Sequence, residues 1–392
     1  MDAERLKDIA LSIANDKDLL LGNLILLGEV PSYAGTWQSD DQTDRPDYSV
    51  RARFFAERLA ELGVDECATD SLGNPVALVK GSDPSKPPLL VVAELDSLFN
   101  PPGDILYEIK GGNISGPGLL DNALGAVAVL SLPQTLKRLG ISLDSNLMLA
   151  GVPNTMRDAK NIALFDRFAE RLTPLPRAAI VVKGGELGRL NYFSDAVIRA
   201  DIICERREGQ RGSAEDMVLV ATSIVDQLLG IRIPKKPETE LTVGMIKAGH
   251  KYGDHASQAR IGIELRSVSN EVLAELSGNI RDVLDLVRFE KRVDVIYDVA
   301  VELGAANLGW DHPLTRTAVG IMRSLGIEPD VYPSVSELYY LLKRGIPAVT
   351  IGIGKGSDYH QESAYAGIES ICRGMTQLAG LMLALDEEAR RG

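Results

Sequence analysis

Apolar residues recur at helical spacing from residue 1 to about 30 and again over 48–62 (YSVRARFFAERLAEL), with Gly63 just past the end. Both stretches predict helices that keep one face apolar. The segment ECATDSLGNPVALVKGS follows, and then PPLLVVAELDSLF, whose short and nearly continuous apolar run is the pattern of a strand buried on both faces. Residues 122–139 read as a helix kinked or broken at Pro133 and stopped at Gly140. Two more buried strands are predicted at 145–152 and 178–182, with a helix at 161–172 between them. Such alternation implies a mostly parallel sheet covered by helices.

After about Asn191 the pattern changes. AVIRADIICERR and ARIGIELRSV alternate apolar and polar positions, as half-exposed antiparallel strands do, with helical stretches between and after them. Near Gly304 the earlier pattern resumes, with helices predicted at 312–325, 335–344 and 366–387 and a strand at 348–352. The expected fold class is therefore α/β, a mostly parallel sheet flanked by helices, with a small α+β domain inserted into it. The expected domains are 1–193 together with 306–392, and 194–305.

Composition narrows the partners. The 392 residues are 45% hydrophobic, 25% charged and 5% aromatic, a globular balance, and the formal net charge is −13. So acidic a surface repels nucleic acid and anionic membrane, which leaves small molecules or peptides as the expected ligands. Cys67, Cys204 and Cys372 are far apart and lack CxxC spacing, so neither a disulfide framework nor a thiolate zinc site is indicated. The first thirty residues lack the build of a signal peptide, and no charge-free apolar run reaches membrane-spanning length. A cytoplasmic protein is expected.

Four stretches, in order, carry a family resemblance: LLVVAELDSL, SGPGLLDNALGAVAVL, IKAGHKYGDHASQARIGIELRS and RGIPAVTIGIGKGSDYHQESAYAGIES. Together they resemble the co-catalytic zinc hydrolases that include peptidase T, carboxypeptidase G, acetylornithine deacetylase and the aminoacylases. The resemblance implies a zinc-exopeptidase-like fold whose inserted domain is a lid and mediates homodimerisation. It also implies two metals held by His and carboxylate ligands, with a Glu as general base on a bridging water.

Residue by residue, the match is partial. Asp121 stands where the resemblance implies a metal-bridging Asp, at an Asp-Asn step that is often cis in the family. Asp96 matches the carboxylate that orients the first histidine, and His360 matches the last histidine. Where the first histidine belongs, the chain has Glu94, and Asn154 and Thr155 occupy the general-base and ligand positions in LMLAGVPNTMRD. At the end of AAIVV, where a further acidic ligand is implied, stands Lys183. An ammonium does not bind metal, but beside Glu94 and Asp121 it supplies the charge a metal would have supplied. On the alternative reading Lys183 is a solvated surface residue and Glu186 holds the ligand role.

In the lid stretch, His250, Asp254, His255 and Arg266 are candidates for binding a ligand carboxylate, a solvated turn and a structural Arg being the other reading. His312 is most simply structural. Gly352, Gly354 and Gly356 form a loop whose backbone can approach a ligand closely.

Two functions remain open on the sequence. One is a non-catalytic or repurposed relative that binds a small acidic or peptide-like ligand and needs no metal cofactor. The other is an active peptidase or amide hydrolase whose altered zinc or manganese site uses Asp121, His360 and Glu94 or Glu186. A more remote option is metal-free nucleophilic chemistry by Thr155 with Lys183 as base.

Overall fold

The computed structural model describes residues 3–31, 49–97, 104–152, 159–207, 215–359 and 361–391. Asn154, Thr155 and His360 lie outside the described residues. The chain divides into two compact units, Met1–Phe193 with Asn307–Gly392, and Ser194–Ala306.

In the first unit, eight strands form one sheet among the described residues. They are β1 (Glu66–Thr69), β2 (Pro75–Val79), β3 (Leu89–Glu94), β4 (Leu147–Val152), β5 (Ala178–Lys183), β6 (Arg189–Asn191), β7 (Asp330–Val331) and β8 (Ala348–Gly352). Their spatial order is β1-β2-β4-β3-β5-β8-β6-β7. The four central strands β4, β3, β5 and β8 run parallel. All six residues of β3 and all five of β8 are buried, as their unbroken apolar runs require of strands covered on both faces.

The helix Leu124–Arg138 is almost wholly apolar and buried. By length and composition the stretch Leu119–Arg138 would pass as a membrane span, yet 83% of its most apolar window is packed inside the protein. The helix runs through Pro133 without the break its sequence suggested. Residues Leu119–Ala123 ahead of it form one π-helical turn, entered through Gly118 in the left-handed region at φ 68°. The Asp121–Asn122 peptide within this turn is trans, against the family expectation of cis. The predicted helix 335–344 is shorter, Leu338–Lys343. A small sheet of Glu108–Lys110, Asn113–Ser115, Tyr365–Gly367 and Gly356–Ser357 was not anticipated, because strands of two or three residues carry no readable period.

The second unit is a four-stranded antiparallel sheet in the order Thr239–Ala248, Gln258–Ser267, Ala196–Glu205, Asp294–Leu303. The helices Met217–Leu229 and Asn270–Lys291 share one apolar core with it, built from Ile198, Ile202, Ile261, Leu265, Val220 and Ile280 among others. On the strand Ala196–Glu205 the even-numbered residues enter this core, but the other face is not open as the alternation in AVIRADIICERR suggested, since Val197 and Asp201 on it are buried too.

Candidate functional site

In an open parallel sheet, ligands collect outside the carboxyl ends of the strands, where the strand order reverses. Here β3 leads to β4 on one side, and the chain returns to the other side of β3 for β5 and continues outward to β8. The reversal therefore falls between β3 and β5. Ala93 pairs with Val182 at that junction, so the next residues along, Glu94 and Lys183, close the two strands side by side.

The Lys183 ammonium donates to Glu94 Oε2 at 2.8 Å and to Glu337 Oε1 at 2.7 Å. Lys183, Glu94 and Glu337 keep only 12%, 9% and 1% of their side chains exposed. Glu337 sits at the N-cap of Leu338–Lys343, which aims it back at the end of β5. Burial pushes the Glu94 carboxyl well above its ordinary range, and the charge of Glu337 adds to this against the pull of Lys183. Burial alone would likewise raise Glu337, but the charge of Lys183 and the hydrogen bonds from Glu94, Lys183 and Ser336 together outweigh it and hold that carboxyl below its ordinary value. For Lys183 itself, burial works to lower the ammonium's affinity for its proton, and Glu337 and Glu94 more than reverse that. The stable arrangement is one ammonium, one carboxylate and one protonated carboxyl, an electrically balanced buried set.

Next to this set lie the acids of the first two motifs. Asp96 is fully buried two residues beyond β3, and its backbone carbonyl accepts from the Asn122 side chain. Asp121 is half-buried on the π turn, one residue before Asn122. Behind them stands Arg51, 2% exposed, whose guanidinium donates to the backbone carbonyls of Val30 at 2.7 Å, Leu95 at 3.1 Å and Gly28 at 3.2 Å. Burial weakens its hold on its proton, while Tyr107, Asp96 and Asp121 oppose that. Two cations, Lys183 and Arg51, are thus built into the acidic end of the sheet.

Three residues at which the family resemblance implies a metal ligand or general base, Asn154, Thr155 and His360, lie outside the described residues. The Glu94 oxygen nearest any cation already accepts from Lys183, and among the described residues no three His, Cys, Asp or Glu side chains come together as a metal-binding group. The reading of Lys183 as a solvated surface lysine is overturned, since its nitrogen is held between two buried carboxyl groups. Glu186, the alternative ligand, keeps 45% of its side chain exposed, takes φ 61°, and bonds Arg189 and Tyr332 instead.

The other candidates are spread out. Gly352 and Gly356 are needed because added Cβ atoms would collide with the backbone of Gly185, Glu186 and Tyr365, so their close approach is to the chain itself. Gly354 packs against Leu124. In the second unit His250 lies in an exposed turn, Asp254 pairs with Lys251 at 3.2 Å, and His255 Nδ1 meets Asp216 at 3.2 Å. Arg266 donates to Glu264 at 3.0 Å and lies about 23 Å further along its strand from Ala259, so it does not join the histidines. His312 caps the helix Pro313–Ser324, accepting from the Leu314 amide at 3.1 Å, the structural role expected of it.

Sequence reasoning missed Glu337 and Arg51. Glu337 is the sole acid between Asp330 and Asp358, and the only charged residue in VYPSVSELYYLL. Arg51 shares the i, i+4, i+8 line of Phe55 and Leu59, both fully buried, so an arginine there had to go inside.

No protein-family model matches the chain, and no curated protein matches it. Solved structures do. Aminopeptidase PepT from Bacillus cereus has a TM-score of 0.73 at 15% identity, over 95% of this chain and 99% of that one. The dipeptidase Dug1p from Saccharomyces cerevisiae has 0.77 at 14% identity, over 98% and 99%. The YxeP protein of Bacillus subtilis, described as a dinuclear metal-binding peptidase of the M20 family, has 0.66 at 15% identity, over 95% and 99%. At such identities the likeness is one of fold, and at that level the four motifs pointed correctly: the chain has the zinc-exopeptidase-like fold.

Proposed function

We propose that this chain is a peptidase-like or amidohydrolase-like protein that has left two-metal chemistry and binds a small acidic or peptide-like ligand at the carboxyl end of its central sheet. The observation that carries the reading is the Lys183 ammonium held at 2.8 and 2.7 Å from Glu94 and Glu337. A cation on the chain there does what a bound divalent ion would do for the charge balance, and it occupies one oxygen of each of two carboxyl groups such an ion would draw on. The aminopeptidase and dipeptidase neighbours support a ligand of the peptide class.

The test is elemental analysis of protein purified without chelator, repeated after dialysis against zinc and against manganese. The expected result is no stoichiometric metal in any condition. One or two ions per chain would overturn the proposal and favour the active metal-dependent amide hydrolase, with Asp121 and His360 as the first residues to substitute.

A further inference from the structure

In the second unit, the loop that joins the helix Met217–Leu229 to the strand Thr239–Ala248 and the amino-terminal half of the helix Asn270–Lys291 enclose a groove of about 460 Å³. The loop contributes Arg232, Lys235 and Lys236, and the helix contributes Glu275 and Asn279. The apolar part of the lining is Leu276, which is buried, with Val272, Pro234 and Pro237 half-buried. The loop sequence GIRIPKKP holds three cations and no acid, in a chain whose formal net charge is −13. All three are exposed, and none has an ion-pair partner among the described residues. Arg207 and Arg288 of the same unit, by contrast, each hold an aspartate at 3.0 Å.

The arrangement of these groups selects what can fill the groove. A compact anion such as phosphate needs donors that converge on one point, and here it would also meet the Glu275 carboxylate in the same lining. The cations are instead strung along a loop beside an apolar surface. That combination fits an extended chain that presents carboxylates to the loop and an apolar side chain to Leu276 and Val272, with the Asn279 amide free to pair with its backbone. Arg232 can take a carboxylate through two parallel N–H donors, and the lysines act as point charges on flexible stems. The acidity of the whole chain opposes such a partner only at long range. At about 0.15 M salt, exposed charges more than about 8 Å apart are largely screened, whereas contacts inside the groove are not.

We propose that this groove is the docking site for an acidic linear peptide segment of a partner protein, its carboxylates on Arg232, Lys235 and Lys236 and an apolar side chain on Leu276 and Val272. The groove lies wholly within Ser194–Ala306, so the outcome of the metal analysis at Lys183 has no bearing on it.

The experiment measures fluorescence anisotropy of a labelled heptapeptide, Glu-Glu-Leu-Glu-Glu-Leu-Glu, added to the full chain at about 0.15 M salt. The expected result is saturable binding that weakens about tenfold or more when Lys235→Glu is combined with Lys236→Glu, because each reversal sets like charges together. Both positions are exposed, so the variant should keep its thermal midpoint. Asn279→Glu, on the helix side of the groove, is the second variant and should weaken binding in the same direction even if the lysine variant loses stability. The same probe with every Glu replaced by Gln should bind about tenfold more weakly or less. No saturable binding, equal binding of the Gln probe, or an affinity unmoved by the variants overturns the inference. Inorganic pyrophosphate serves as competitor: failure to displace the peptide supports the proposal, and displacement at concentrations near the peptide's own overturns it in favour of a small-anion site.

Discussion

A buried charge is stable only in company, and the residues at the end of β5 show what removing a partner entails. Replacing Lys183 with Met leaves Glu94 and Glu337 facing each other without a cation, so the variant should lose about 3–5 kcal/mol, read as a lower urea midpoint at unchanged slope. The carboxyl pair also fixes a pH dependence. Glu94 is held above its ordinary value of 4.5, so the folded chain binds that proton more tightly than the unfolded chain does, and this part of the stability falls as pH rises beyond 4.5. Glu337 acts in the other sense: its contribution is present above 4.5 and is lost as acid drives through its depressed folded value. Glu94→Gln should therefore flatten the decline on the alkaline side while leaving the acid limb in place, measured as urea midpoints across the pH range. Lys183 was legible in the sequence because a lysine at the end of a buried apolar strand demands an explanation. Its second partner was not, since Glu337 lies 154 residues away and only the folded sheet brings it close.

At the level of the element, propensity and packing give opposite forecasts for the helix Leu124–Arg138. Gly125 lies in its first turn, where replacing glycine by alanine ordinarily gains about 1 kcal/mol. A Cβ here would stand 2.8 Å from the backbone oxygen of Val182 and 3.1 Å from the amide of Gly184, both rigid parts of the segment that carries Lys183. Gly125→Ala should consequently lose about 1–3 kcal/mol in thermal or urea unfolding, and a gain would show that the helix can shift away from β5. The helices and central strands were legible because burial on one face or on both leaves a period in the sequence. The π turn over Leu119–Ala123 and the N-cap at Glu337 were not, because they depend on how the elements meet rather than on any repeat.

At the scale of the whole molecule, the class of fold came from the order of its patterns, buried runs alternating with helices and interrupted by a stretch of polar alternation. The contents of the site came through only in part, because Arg51 and Glu337 are set by contacts between segments far apart in sequence. The sheet of the first unit has a further consequence, for synthesis on the ribosome. Strand β5 pairs on one side with β3, already made, and on the other with β8, Ala348–Gly352, which is translated only after the entire span Ser194–Ala306. Until then the nascent chain carries an open hydrogen-bonding strand edge beside the apolar helix Leu124–Arg138. The later unit can close its own core first, and the earlier one waits for its last residues.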